Sequence, residues 1–75
     1  MISYEPFRIL LVKERMQMQD LRKAGILTPR TAVRLNNDTG HVNTSTLDRI
    51  CAFLSGRLGR TVAIGEIVEY VPDRD

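Results

Sequence analysis

The sequence predicts an all-α fold, a compact bundle of four to five short helices, on three observations. Apolar residues recur at i, i+3, i+4 and i+7 in nearly every segment, the spacing of one helix face. Glycine, proline and Asx clusters fall between those segments at short intervals, where turns belong. At 75 residues the chain makes one domain, 1–75, which buries only ~60% of its unfolded surface. Every apolar stripe is then needed for the core, leaving no room for a deep substrate cavity. That weighs against an enzyme. Apolar residues are 43% and charged residues 27%, too apolar for a disordered chain.

The elements follow in order. Pro6 suits the first turn of a helix, where its missing N–H would be unpaired anyway. Phe7, Leu10, Leu11 and Glu14 fall on one face, so a first helix is expected over about 5–15. A second is expected over about 17–24, with Leu21 and Ala24 inward and Asp20 favouring the dipole near its start. Gly25 stops it. Thr28 can cap a third helix, and Pro29 is preset for its first position. Ala32 and Leu35 would bury, and the helix should end near Asn36 or Asn37. Asn37-Asp38-Thr39-Gly40 reads as a turn. Asn43 or Thr44 caps a fourth helix, with Leu47, Ile50, Cys51, Leu54 and Leu58 inward and Gly59 as its stop. A fifth, over about 63–69, fits the spacing of Ile64, Ile67, Val68 and Val71, although Gly65 weakens it. Pro72 and the charged tail close the domain.

The formal charge is +2, and its distribution says more than its size. Between Arg8 and Arg34 stand seven basic residues (Arg8, Lys13, Arg15, Arg22, Lys23, Arg30, Arg34) against Glu14 and Asp20, giving +5. From Leu35 onward four basic residues face six acidic ones, giving −2, and Glu5 supplies the last −1. Like charge gathered on part of a small domain is a footprint for a polyanion. Solvated helix faces would look the same.

Helices two and three, with a turn of roughly three residues between them, make a helix-turn-helix. In DNA-binding proteins the second of these enters the major groove and the first crosses the backbone. Arg30 and Arg34, four apart, share one side of helix three, and either could donate two bonds to guanine. Thr31 and Val33 could touch a thymine methyl or a phosphate. The plain alternative is that Arg30 and Arg34 are surface arginines on a core helix.

Gln19-Asp20-Leu21-Arg22-Lys23-Ala24-Gly25, then Thr28-Pro29-Arg30-Thr31-Ala32-Val33-Arg34-Leu35-Asn36, resembles the Cro/C1-type (XRE) helix-turn-helix regulators, in their short single-domain branch. Val42, Thr46-Leu47-Asp48-Arg49-Ile50-Cys51, the closing Gly65-Glu66-Ile67-Val68-Glu69-Tyr70-Val71-Pro72 and the opening Ile2-Ser3-Tyr4-Glu5-Pro6 extend the likeness over nearly the whole chain. The resemblance implies a lambda-repressor-like bundle and sequence-specific DNA binding, often as a dimer. It puts base reading on Pro29, Arg30 and Arg34, and phosphate contact on Thr28 and Asn37. The family's phosphate-holding glutamine near the start of helix two matches Met18, with Gln17 and Gln19 on either side. The chain departs from the pattern where the usual turn glycine is Ile26, one residue after Gly25. Pro29 cannot make the polar base contact of its position. The stretch 55–64 is several residues longer than in the shortest members, which extends helix four by about a turn.

Other candidate chemistry is thin. His41 reads as a solvated loop residue, Cys51 as a small core residue, Glu66 and Glu69 as the wet face of helix five, and Met16 and Met18 as gap-fillers at a helix junction. One histidine and one cysteine cannot make a tetrahedral zinc site without carboxylates, and no cofactor or small-molecule ligand is expected. A lone cysteine, no signal-peptide pattern and an apolar run of only Ile9–Val12 point to the cytoplasm and away from a membrane. The expectation is a non-catalytic transcription regulator, acting as a repressor, with double-stranded DNA as its partner. Lys13, Arg15, Arg22 and Lys23 would supply the phosphate attraction. The competing reading is a protein-interaction module on the same fold, such as an antitoxin or a phage or plasmid protein. Six large side chains between Val62 and Val71 exceed what one helix face can bury, so a homodimer through that segment is also expected.

Overall fold

The computed structural model describes residues 1–72; the charged tail expected to end the domain lies outside them. In chain order, β1 (Ile2–Ser3) leads into α1 (Glu5–Lys13), then α2 (Met18–Lys23), α3 (Pro29–Asn37) and α4 (Thr44–Leu58). One 3-10 turn (Ile64–Glu66) and β2 (Glu69–Tyr70) complete the order. The expected helices one to four are all present, and the fold is the all-α bundle with a small two-stranded addition. None of the described helices is long and apolar enough to cross a membrane.

The helix ends follow local chemistry. Pro6 sits in the first turn of α1 and Pro29 in that of α3. The Thr28 hydroxyl accepts the Thr31 N–H at 3.2 Å. Asn43 is the cap of α4, its Oδ1 accepting the Thr46 N–H at 2.8 Å. Helix α2 closes by a Schellman arrangement: the Gly25 N–H reaches the Arg22 carbonyl and the Ile26 N–H reaches the Leu21 carbonyl. This needs a left-handed residue between them, which Gly25 supplies at φ +76°. Ile26 is half-buried against the core and Leu27 is buried. The turn before α3 is therefore pinned by two apolar side chains.

Phe7, Leu21, Leu35, Ile50, Leu54 and Ile67 are the largest fully buried side chains, and every helix and the C-terminal segment contributes at least one. Each stabilises the fold by roughly 1.5–3 kcal/mol through burial. Met16, Met18 and Cys51 pack at the margin of this core, where their soft side chains were expected. Burial pushes the Cys51 thiol up, with the negative charges of Asp48 and Glu66 adding to it.

Two expectations need correction. Ala24, expected inward, is exposed, because α2 stops at Lys23 and Ala24 is its C-cap. The fifth helix over 63–69 is not formed. The Glu66 carboxylate accepts the Ala63 N–H at 2.8 Å and so closes a single turn around Gly65. Beyond it the chain extends, and β2 pairs antiparallel with β1 in the register Ile2↔Tyr70 and Ser3↔Glu69. The Val71 N–H adds a bond to the Met1 carbonyl at 2.7 Å. Gly65 and the β-branched residues of this segment disfavour a helix.

Candidate nucleic-acid interface

Helix α3 is the element on which the expected readers sit. Ala32 and Leu35 are buried, and at 100° per residue Arg30 and Asn37 lie on the side opposite them, flanked by Val33 and Arg34. Pro29, Arg30, Val33 and Asn37 are exposed. Thr31 is half-buried, and its hydroxyl oxygen accepts from the Thr28 hydroxyl at 3.0 Å. Arg34 is also half-buried. Its Nη1 donates to the His41 carbonyl at 2.7 Å, and its stem lies over Gly40. A Cβ built at Gly40 would sit 2.8 Å from the Arg34 Nε. Arg30 and Arg34 share a face as expected, yet only Arg30 is uncommitted within the described chain.

At the N-terminal end of α3, Gln19, Arg22, Lys23, Leu27 and Pro29 line an open concavity of about 320 Å³. Four residues expected to face DNA (Gln19, Arg22, Lys23 and Pro29) are thus brought together. Gln17 is exposed, and its N–H donates to the Asp20 carboxylate at 2.9 Å. Met18 packs against the core, so only its backbone is available to a phosphate.

The cations divide sharply. Arg8 donates to the Asp38 carboxylate at 2.9 and 3.2 Å and to the Leu35 carbonyl at 2.6 Å. The same carboxylate accepts the Tyr4 N–H at 2.7 Å and the Ser3 hydroxyl at 3.3 Å. The Arg8 guanidinium, with help from Tyr4 and Ser3, holds the Asp38 carboxyl below its ordinary range, while burial opposes it. Asp38 in turn raises Arg8. Arg49 donates to the Gly25 carbonyl at 3.2 Å, tying α4 to the turn before α3. Arg57 stands 5.6 Å from the Phe53 ring centroid, and Arg60 pairs with Glu66 at 2.9 Å. The Ala63 N–H and Arg60 together hold Glu66 low, and Lys13 adds a weaker attraction. With the described residues, Arg15, Arg22, Lys23 and Arg30 make no such contact.

Sequence reasoning placed Arg8 in the general basic field, whereas it clamps the C-terminal end of α3. It assigned no role to Arg49. Neither Arg8 and Asp38, 30 residues apart, nor Arg49 and Gly25, 24 apart, share a local pattern that would reveal the contact. His41 is exposed in its loop.

Compared with known proteins, the chain matches the family model described as the Cro/C1-type HTH DNA-binding domain over residues 7–73. No curated protein and no solved structure matches it.

Proposed function

Since this chain belongs to the Cro/C1-type helix-turn-helix DNA-binding family, we propose that it is a sequence-specific transcription regulator that represses by occupying its DNA site, with α3 in the major groove. The observation that carries this reading is the division of the cations. Of the cations that make no hydrogen bond or ion pair among the described residues, Arg22 and Lys23 line a concavity with the start of α3 and Arg30 follows it on that helix, while Lys13 and Arg15 lie at and just beyond the end of α1. Arg30, with Thr31, Val33, Pro29 and Arg34 beside it, reads base edges. Lys23, Thr28, Asn37, Gln17, Gln19 and the Met18 backbone hold phosphate, and Arg15 and Arg22 add long-range attraction. No catalytic step is part of this reading, and the cytoplasm is its setting.

The reading includes a homodimer. One protomer of this size covers only ~600–1,000 Å² of DNA, and two half-sites one helical turn apart double that. Within Val62–Val71, Val62 and Ile67 are buried and Val68 is half-buried. Ile64, Tyr70 and Val71 are the side chains that segment leaves for a contact.

Gel-shift titration over a salt series tests the DNA reading. With about four to six phosphate contacts per protomer, log K falls linearly with log salt at a slope of roughly −4 to −5. Lys23→Ala reduces that slope by about one and weakens all sequences alike. Binding indifferent to salt between low and physiological levels would refute it.

A further inference from the structure

We propose that Gly40 and the His41 carbonyl are positioning elements for base reading: they set the orientation of Arg34 before DNA arrives, so residue 40 governs preference at a base pair it does not touch. The inference rests on the DNA reading above and adds to it two residues outside α3.

Arg34 is held along its whole length. Its own carbonyl accepts the N–H groups of Asp38 and Thr39, the latter at 3.2 Å. Its stem lies on Gly40: a Cβ built there would stand 3.3 Å from Cγ, 3.1 Å from Cδ and 2.8 Å from Nε. At the tip, Nη1 donates to the His41 carbonyl at 2.7 Å. Gly40 is left-handed at φ +69°, and its missing side chain is the room that the stem occupies.

The loop that holds Arg34 is itself fixed at both ends. Asp38 is clamped by Arg8, Tyr4 and Ser3. Val42 packs against the core, and Asn43 caps α4. A Cβ at position 40 is therefore relieved by displacing the flexible arginine, while the loop stays in place.

This contact orients the guanidinium without consuming it. Of its five N–H groups, one is taken among the described residues. The partner is a neutral carbonyl, whereas Arg8 and Arg60 face carboxylates. Arg34 makes no ion pair among the described residues, so its charge is left for DNA. A long side chain already ordered in the free protein loses less freedom on binding. A planar fork fixed in angle also discriminates base edges better than one that swings.

The test measures base preference on a selected site for wild type, Gly40→Ala, Arg34→Ala and the double variant. Arg34→Ala relaxes one base pair. Gly40→Ala relaxes the same one by roughly fivefold or more, and the double variant is no worse than Arg34→Ala. Gly59→Ala is the control: Gly59 is also left-handed, at φ +68°, with nothing within 4 Å of an added Cβ. It carries the backbone cost alone and leaves the preference unchanged. Gly40→Asn brings the same Cβ on a residue that tolerates this backbone, and gives the same result should alanine unfold the loop. His41→Ala keeps the carbonyl and with it the preference. Nitrogen-15 relaxation at the Arg34 Nε without DNA reads the cradle by itself: ordered in wild type, mobile in Gly40→Ala. Preference unaltered in Gly40→Ala, relaxed at a different base pair, or replaced by equal weakening of all sequences overturns the proposal. So does a sharper preference, which would mean that the loop withholds Arg34 from DNA, and so does a mobile Nε in wild type. If Arg34→Ala itself leaves preference unaltered, the proposal falls with the DNA reading of Arg34, and an Nε still ordered by Gly40 places that failure in the reading and not in the cradle.

Discussion

At its C-terminal end, α3 is gripped by Asp38, which takes the left-handed conformation at φ 54° and accepts bonds from Tyr4, Ser3 and Arg8. Arg8 in turn holds the Leu35 carbonyl, and Arg34 folds onto the 40–41 loop. At its N-terminal end the same helix is held by one hydroxyl cap, the apolar turn residues Ile26 and Leu27 and one Arg49 bond to the Gly25 carbonyl, while Pro29 and Arg30 stay open to solvent. Anchoring and presentation are assigned to opposite ends of nine residues. A reading helix needs both, since a side chain that reads bases must stand free while its backbone stays still.

The largest effect is expected at Asp38. Asp38→Asn keeps the shape and tolerates the left-handed backbone, but removes the charge on which Arg8 depends. Hydrogen bonds to a charged group are worth about 1.5–3 kcal/mol, and a loss of that order should appear in urea or thermal unfolding at neutral pH. The pH dependence has a definite sign. The folded-state pKa of Asp38 is depressed, so its contribution is complete above the unfolded value of ~3.9. It is lost as pH falls through that value towards the lower folded one. The gap between wild type and variant should therefore close in acid. Equal stability of the two at neutral pH would show that the clamp does not anchor α3.

The two arginines sharpen the comparison next. Arg30→Ala should cost ~1–3 kcal/mol of affinity on a selected site and relax preference at one base pair, with stability unchanged within about 0.5 kcal/mol. Arg34→Ala should relax preference too, but also lower stability by ~0.5–1.5 kcal/mol through loss of its bond to the His41 carbonyl. Site selection from random DNA, followed by denaturation of both variants, separates the cases. If both weaken specific and random DNA equally, α3 is not the reader.

The legibility of these two ends in the sequence differs for a physical reason. Caps, prolines and turn glycines act within four residues, so Pro6, Thr28, Pro29, Asn43 and Gly59 marked the helix ends within a few residues. The open end of α3 is such a local object, and the exposure of Pro29 and Arg30 follows from helical spacing. The anchored end is made by partners 27 to 35 residues apart, and no periodicity encodes them. Arg8 accordingly looked like one more cation facing a polyanion. The C-terminal segment misled in the opposite way. Ile64, Ile67, Val68 and Val71 keep helical spacing, but Ile2–Ser3 offers Glu69–Tyr70 a strand partner that only the folded chain brings near. Arg34 lies between the cases: its face was legible, while its tie to the next loop depends on how close Gly40 lets it approach.

The smallest effect is expected at Thr28, and it tests whether the two ends are mechanically separate. The Thr28 hydroxyl accepts the Thr31 N–H and donates to the Thr31 hydroxyl, so a phosphate oxygen would have to take over the proton now given to Thr31. Thr28→Ala removes an N-cap, which typically costs ~1 kcal/mol; Thr28→Ser keeps the oxygen and should stay near wild type. Because Asp38 and Arg8 hold the other end, the loss should be confined to the first turn. Amide exchange at Thr31 and Ala32, whose N–H groups bond to Thr28, should quicken by several-fold while Leu35 stays protected. Affinity should fall with it, since Arg30 rides on that turn. If exchange quickens evenly along α3, the helix loosens as one unit, and the division between an anchoring end and a presenting end does not hold.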